Sequence, residues 1–448
     1  MENIDRISNL PLHLHHQILS YLAPQDMVQT SLLSTNWKNI WCSAPDLELY
    51  EDLNGQFDFY NFVDCLLLLR DGESKVRKFL LNSLNQNMSK INAWIMYALR
   101  HNVEVLDLNV WYTGEPRVMF TQRIFCCESL RELILVSCKL NVPVRICLPA
   151  LKVLKLDDVI VQDGQIFSGM YSLETLILYG CRFQCSVLNI ANTQLKNLEM
   201  GGSLNTSVVI SAPSLLSLEL NVDNSQEKIS FYGDLVSLTD AIVNITQVPC
   251  QLAIQLFCII KNAQSLLLTM YDTSPFIKEL HKDLAILNRV QVQYPNLKWL
   301  KILTMFNNIE FISINHILKH APALESLFLM GFHQVENLDY MEVWSKYELS
   351  HLKLVEIHGF EGTKGEVKML EFFLENAVVL EKLVITVAEH PVGGTLFTRE
   401  MMKIGRKILS CPRASSSVGI LFAPFCNDGQ KFLHFVVMFV RNVLNCDI

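Results

Sequence analysis

The chain has 448 residues, half of them hydrophobic and only 18% charged, with a formal net charge of −8. That balance excludes a largely disordered protein, argues against a basic nucleic-acid binder, and leaves room for two or three domains around a large buried core. Thirteen cysteines at irregular spacings, with no CxxC pair, fit reduced thiols of a cytoplasmic or nuclear protein better than a disulfide framework.

The first nine residues are polar and acidic, which predicts no signal peptide. Residues 4–49 then read as three short helices. Leu10-Pro11 opens the first, because proline fits a first helical turn whose N–H groups are unpaired anyway. Leu14, Ile18, Leu19 and Leu22 follow at the spacing of one helix face. Pro24 and Asp26 start a second helix carrying Met27, Val28, Ser31 and Leu32. Ser34 is placed to cap a third, in which Trp37, Ile40 and Trp41 share a stripe that Pro45 ends. So small a unit has more large apolar side chains than it can bury and requires a partner surface. The plain alternative is a helical cap on a larger domain.

These residues resemble the F-box of plant F-box proteins. The match runs through Asp5-Arg6-Ile7-Ser8, Leu10-Pro11, Ile18-Leu19, Leu22, Asp26–Val28, Thr30-Ser31, Leu33-Ser34 and Trp37 with Trp41. The resemblance implies docking on a Skp-type adaptor, and through it on a cullin–RING ubiquitin ligase. It assigns that contact to Leu10, Pro11, Ile18, Leu19, Leu22, Val28, Leu32, Trp37 and Trp41, some of which must instead hold the F-box core. Two departures stand out. Leu12, His13, His15 and His16 occupy positions where acidic residues are usual, and Asn36 stands where a basic residue usually precedes the first tryptophan.

Residues 50–100 connect this unit to the longer remainder of the chain. Cys65–Leu69 reads as helix, Val76–Leu81 as strand, and Lys90–Arg100 as a helix with Ile91, Trp94, Ile95 and Ala98 on one side. From residue 103 a pattern of apolar, two variable, apolar, one variable, apolar recurs twelve times, from Val103-Leu106-Leu108 to Leu380-Leu383-Ile385. The starts from 130 to 215 lie 21, 22, 22 and 20 residues apart, and the last four 27, 28 and 28 apart. Those are leucine-rich-repeat periods, and twelve unrelated amphipathic strands would not keep them. Each unit supplies one short strand, and stacking joins the strands into a parallel sheet. Short units near 130–220 leave no room for a return helix. Longer ones do, at Ile309–Lys319 and Gly365–Asn376, and Phe276–Tyr294 is a further helix candidate.

His351–Thr363, Leu370–Ala377, Leu380–Leu383 and Arg406–Ser415 resemble the FBD domain, which accompanies F-boxes and repeats in plants. The resulting expectation is an α/β chain: a three-helix F-box followed by a leucine-rich-repeat solenoid with a parallel β-sheet. The F-box spans 4–49, and 50–100 connects it to the start of the solenoid. Leucine-rich repeats occupy 101–295, longer repeats and the FBD-like region 296–417, and an apolar tail 418–448, which reads equally as a cover for the open end or as a lineage-specific or mis-spliced extension.

No catalytic or metal constellation emerges. His13, His15 and His16 lack the spacing and companions of a zinc set. Cys126-Cys127 and Cys181 with Cys185 read as buried thiols at repeat turns, and Asp157-Asp158 as a solvated turn. No phosphate loop, nucleophile elbow or HExxH is present, and no cofactor is implied. The apolar stretches Leu252–Ile260 and Phe432–Val443 are too short or too charged to span a membrane. What remains is surface. Trp111, Ile134, Ile177, Tyr179, Trp299, Phe328 and Met330 fall between inward leucines and form candidates for contact with a substrate protein. The resemblance implies a non-catalytic substrate-recognition subunit of an SCF-type ubiquitin ligase. The rivals are a repeat scaffold without ligase association, a small-molecule receptor and, last, an enzyme.

Overall fold

In a computed structural model of the chain, all twelve recurring apolar triplets sit on or at the start of short parallel strands. The structure describes residues 7–424 except 52–57, 85–86, 112–117, 143–144, 163–165, 168, 203–204, 222–228, 245–249, 270–291, 305, 307, 332–343, 345 and 389–394. It divides into two units, residues 1–215 with 227–233, and residues 216–226 with 234–448.

In the first unit seven strands lie side by side in chain order: Asp46–Tyr50, Lys78–Ser83, Val105–Val110, Glu132–Val136, Val153–Asp157, Thr175–Tyr179 and Asn197–Gly201. Their register stacks Leu47, Phe79, Leu106, Leu133, Leu154, Leu176 and Leu198 in one inward column. Every member of it is at most 1% exposed. Each such side chain contributes about 2 kcal/mol of apolar burial that no single repeat could secure alone. The short repeats return as extended chain, as their length requires. Val118–Met119, Cys138–Leu140, Ile160–Val161 and Arg182–Phe183 form one small parallel sheet, and Val187–Ala191, Ser207–Ser211 and Ile229–Phe231 another.

A left-handed residue follows four successive strands: Ser137, Asp158, Gly180 and Gly202, with φ between 51° and 72°. Each of the first three donates its N–H to the next repeat, Ser137 to Asp157, Asp158 to Tyr179 and Gly180 to Gly201, at 2.8–2.9 Å. At Gly202 a Cβ would stand 2.9 Å from the Gly180 nitrogen, so only glycine fits.

Helices α1 (Leu12–Leu19), α2 (Pro24–Gln29), α3 (Phe59–Leu69) and α4 (Met88–Arg100) belong to this unit. Asp58 caps α3 through the Asn61 N–H, and Asn87 caps α4 through the Lys90 N–H. On α4, Ile91, Trp94, Ile95 and Ala98 are buried, as their spacing predicts.

The second unit lines up Ser217–Asn221, Asp240–Asn244, Ser265–Thr269, Trp299–Thr304, Ser326–Gly331, Leu354–Phe360, Lys382–Val387 and Gly419–Pro424. The longer repeats return through Asn308–Lys319, Lys364–Asn376 and Thr395–Leu409, and Cys250–Ile259 is helical as well. A capping box starts Lys364–Asn376: the Glu366 N–H donates to the Thr363 hydroxyl, and the Glu366 carboxylate accepts from the Thr363 N–H.

Three sequence expectations change. The third F-box helix is not an α-helix but a run of i→i+3 turns, ending in the 3₁₀ segment Ile40–Ser43. Ser34, Thr35, Asn36 and Asn39 are weak helix formers, and Ser34 pairs with the Ser8 hydroxyl instead of capping. Asp46–Tyr50 is the first sheet strand rather than the end of a helical unit. Beyond Val418, Gly419–Pro424 adds a further strand beside Lys382–Val387. The helix expected at Phe276–Tyr294 falls mainly outside the described residues, as does the tail from 425 onward. Among the described residues no helix is long and apolar enough to cross a membrane.

Candidate protein-docking surfaces

The F-box segment sorts its apolar side chains into two sets. Leu19, Met27, Trp37 and Trp41 are 1–5% exposed and make its core. His15 completes that core. Its ring meets Trp37 edge-on at 4.9 Å, and its Nε2 donates to the Ile7 carbonyl at 2.8 Å. His16 hydrogen-bonds with the Ser43 hydroxyl at 3.0 Å, and burial, helped by Arg70 and His15, lowers its pKa. Two of the unusual histidines therefore hold the first helix against the Trp37–Ser43 turns. Among the described residues no group of three or more His, Cys, Asp or Glu could hold a metal ion.

The outward set is Ile7, Leu12, Ile18, Tyr21, Leu22, Leu32 and Leu33. Leu32 at 85% and Leu33 at 68% are the most open of its leucines. Of the nine residues the sequence singled out, Ile18, Leu22 and Leu32 face solvent with Pro11, while Leu10 and Val28 are half-buried. Leu19, Trp37 and Trp41 are interior, so they support the surface rather than line it. The expected face of Leu14, Ile18, Leu19 and Leu22 is split the same way: α1 turns His15 and Leu19 inward and ends at Leu19, leaving Ile18 and Leu22 outside. Ile7, Leu12, Tyr21 and Leu33 were missed as outward residues. Their exposure shows only once the lengths of these short helices are known.

The seam between this segment and the repeats is polar. Arg70, 6% exposed, donates Nη1 to the Ala44 carbonyl at 2.5 Å. The Asp71 N–H donates to the Cys42 carbonyl at 3.0 Å, and Arg77 pairs with Asp46.

The second surface is the outward face of each sheet. In the first unit the register puts Ile134, Lys155 and Ile177 in one row, with Tyr179 in the next, all half-buried. Trp111, half exposed, follows Val105–Val110 and donates its N–H to the Ser83 carbonyl. In the second unit the rings of Trp299 and Phe328 meet at 5.3 Å, tilted by 40°, Lys301 lies beside Phe328, and Leu303 beside Met330. The seven sequence candidates thus form two groups on two units. Leu80, Ile242 and Leu267 share these faces and were missed: Leu80 precedes the first recurring triplet, and Ile242 and Leu267 fall in the two weaker copies of the pattern.

The other polar candidates are structural. Cys181 is fully buried, donates its thiol to the Leu156 carbonyl at 3.3 Å, and burial raises its pKa to about 12. Cys127 is buried and Cys185 half-buried, but Cys126 is exposed, contrary to expectation. It ends the Gln122–Cys126 turn and faces outward between the buried Phe125 and Cys127. Asp158 occupies the left-handed turn after its strand.

A leucine-rich-repeat family described as "At1g61320/AtMIF1, LRR domain" matches residues 72–417, and the F-box domain family matches residues 7–48. Three proteins of Arabidopsis thaliana are similar. "FBD-associated F-box protein At5g22730" is 26% identical, over 94% of this chain and 95% of its own. "Putative F-box/FBD/LRR-repeat protein At1g66290" is 27% identical, over 94% of each. "F-box/LRR-repeat protein At3g26922" is 32% identical, over 55% of this chain and 84% of its own.

Proposed function

Since the chain belongs to the plant F-box/LRR-repeat family, we propose that it is the substrate-recognition subunit of an SCF-type cullin–RING ubiquitin ligase. The observation that carries this reading is the division of labour inside residues 7–48. A filled core of Leu19, Met27, Trp37 and Trp41 underlies a row of apolar side chains left in solvent. Such side chains have no use in an isolated chain and are what a docking partner covers.

In this reading a Skp-type adaptor covers Leu10, Pro11, Ile18, Leu22, Val28 and Leu32 and links the chain to a cullin. The sheet faces, with Ile134, Ile177 and Tyr179 on one unit and Trp299, Phe328 and Met330 on the other, hold a substrate protein. The chain performs no bond chemistry and takes no cofactor. It acts by raising the local concentration of a substrate lysine near the charged ubiquitin-carrying enzyme. Ten cysteines among the described residues are free thiols, which suits the reducing cytoplasm or nucleus.

The test is binding of the full chain to a purified plant Skp-type adaptor, beside a Leu32→Glu/Leu33→Glu variant. Binding that the variant loses, with its melting unchanged, supports the reading. No binding by the folded, unaltered chain refutes it and leaves a repeat scaffold without ligase association.

A further inference from the structure

Helix α3 carries more apolar side chains than it buries. Phe59, Val63, Leu66 and Leu67 are buried, whereas Leu68 is 82% and Leu69 62% exposed. Cys65 is exposed too. It stands three and four residues before them, the spacing that puts side chains on one helix stripe. The α3 sequence, with eight of its eleven residues among Phe, Val, Leu and Cys, leaves this stripe without a polar member from Cys65 to the helix end.

The stripe ends at the seam with the F-box. The next two residues are Arg70 and Asp71, which bond the Ala44 and Cys42 carbonyls. Those carbonyls lie at the Ile40–Ser43 turn, which packs against the Thr30–Leu32 turn bearing the exposed Leu32 and its neighbour Leu33. Two hydrogen bonds, one from a buried guanidinium, therefore fix the end of α3 at the Ile40–Ser43 turn of the F-box. An exposed apolar pair held beside a docking segment is placed to extend its surface.

We infer that the adaptor footprint runs past the F-box onto Cys65, Leu68 and Leu69 of α3. This inference rests on the ligase-receptor reading. The occupant is the adaptor because the stripe's last residue, Leu69, runs directly into Arg70 and Asp71, which are bonded to the Ile40–Ser43 turn of the F-box, so that a partner docked on the F-box has the stripe within reach across one fixed seam.

The experiment uses the full chain and a purified plant Skp-type adaptor. A Leu68→Glu/Leu69→Glu variant binds the adaptor about tenfold more weakly, or worse, by calorimetry. Its melting is unchanged, since both side chains are largely in solvent. In the unaltered chain, adaptor slows alkylation of Cys65, followed by peptide mass spectrometry, while the exposed Cys126 reacts at its former rate. If the substituted chain fails to fold, Cys65 protection decides alone. Adaptor binding that neither depends on Leu68 and Leu69 nor protects Cys65 overturns the inference and leaves the ligase-receptor reading standing. A self-associated chain that the double substitution makes monomeric would assign the stripe to a second copy, and also overturns it. No adaptor binding by the unaltered chain fails the underlying reading instead.

Discussion

Glu366 should make the stability of the second unit depend on pH. It sits 1% exposed at the start of the Lys364–Asn376 helix. Burial raises its pKa from 4.5 to about 7, against the pull of hydrogen bonds from the Glu361 N–H and from the Thr363 N–H and hydroxyl. A folded-state pKa above the unfolded one means that the native chain binds the proton more tightly. The stabilisation is therefore fully present below about pH 4.5 and is lost as pH rises through about 7. Linkage over that shift gives about 2 kcal/mol of lost stability between roughly pH 5.5 and 8. The perturbation is Glu366→Gln, which keeps an oxygen for the capping box and cannot ionise. Thermal melts of both proteins at the two pH values isolate this one group, because every other titration cancels in the difference. The variant should gain on the wild type by about 2 kcal/mol on going to the higher pH. A gap between the two that does not move with pH would show that Glu366 is ionised in the native state throughout, and that its hydrogen bonds outweigh burial.

Trp41→Ala empties a 5% exposed core position and should cost about 3–5 kcal/mol, seen as early melting of the F-box together with lost adaptor binding. Leu32→Ala, at an 85% exposed position, should leave melting alone and weaken only adaptor binding. Gly202→Ala forces a Cβ against the Gly180 nitrogen at positive φ and should destabilise by about 1–3 kcal/mol in a thermal melt. Gly233→Ala, at similar φ with nothing within 4 Å, should cost only about 1 kcal/mol. Trp299→Ala/Phe328→Ala removes the 5.3 Å ring contact on the second unit and should reduce substrate capture while adaptor affinity, read by calorimetry, stays constant.

The repeats were legible because each needs the same apolar triplet, and the register confirms it column by column. Leu133, Leu154, Leu176 and Leu198 were assigned from spacing and sit in one buried line. The two outer strands were harder. Leu47 and Leu49 alternate as a strand should, but they end a stretch whose helical character masked them. Gly419–Pro424 opens an apolar run whose composition carries no period. The F-box surface was only partly legible. Its helices are eight and six residues long, too short for a 3.6-residue pattern to separate inward from outward leucines, and His15 fills a core place that a hydrophobic count would give to Leu14 or Ile18. The sheet faces show the opposite problem. Strand alternation told which side Ile177 and Phe328 occupy, but not which neighbours they meet, because that depends on pairing between strands far apart in the chain.

The strand Asp46–Tyr50 has a mechanical consequence. A bead tethered by a flexible linker would swing through a wide arc, and every substrate lysine within that arc would be equivalent. Here the F-box runs straight into the outermost strand, held by five paired positions from Asp46 with Lys78 to Tyr50 with Asn82, and clamped by Arg77 on Asp46. Just before the ladder, Arg70 on the Ala44 carbonyl and the Asp71 N–H on the Cys42 carbonyl hold the last F-box turn against the same repeats. A partner held by the F-box, as proposed, would therefore travel with the first repeats as the short arm of a lever. Under the proposed ligase role, the substrate lysine reached would then be a matter of bearing and distance, set when the strand folds. Removing residues 1–48, up to where the F-box family match stops, would take Asp46, Leu47 and Glu48 from this ladder and leave Lys78–Ser83 largely unpaired as a sticky edge.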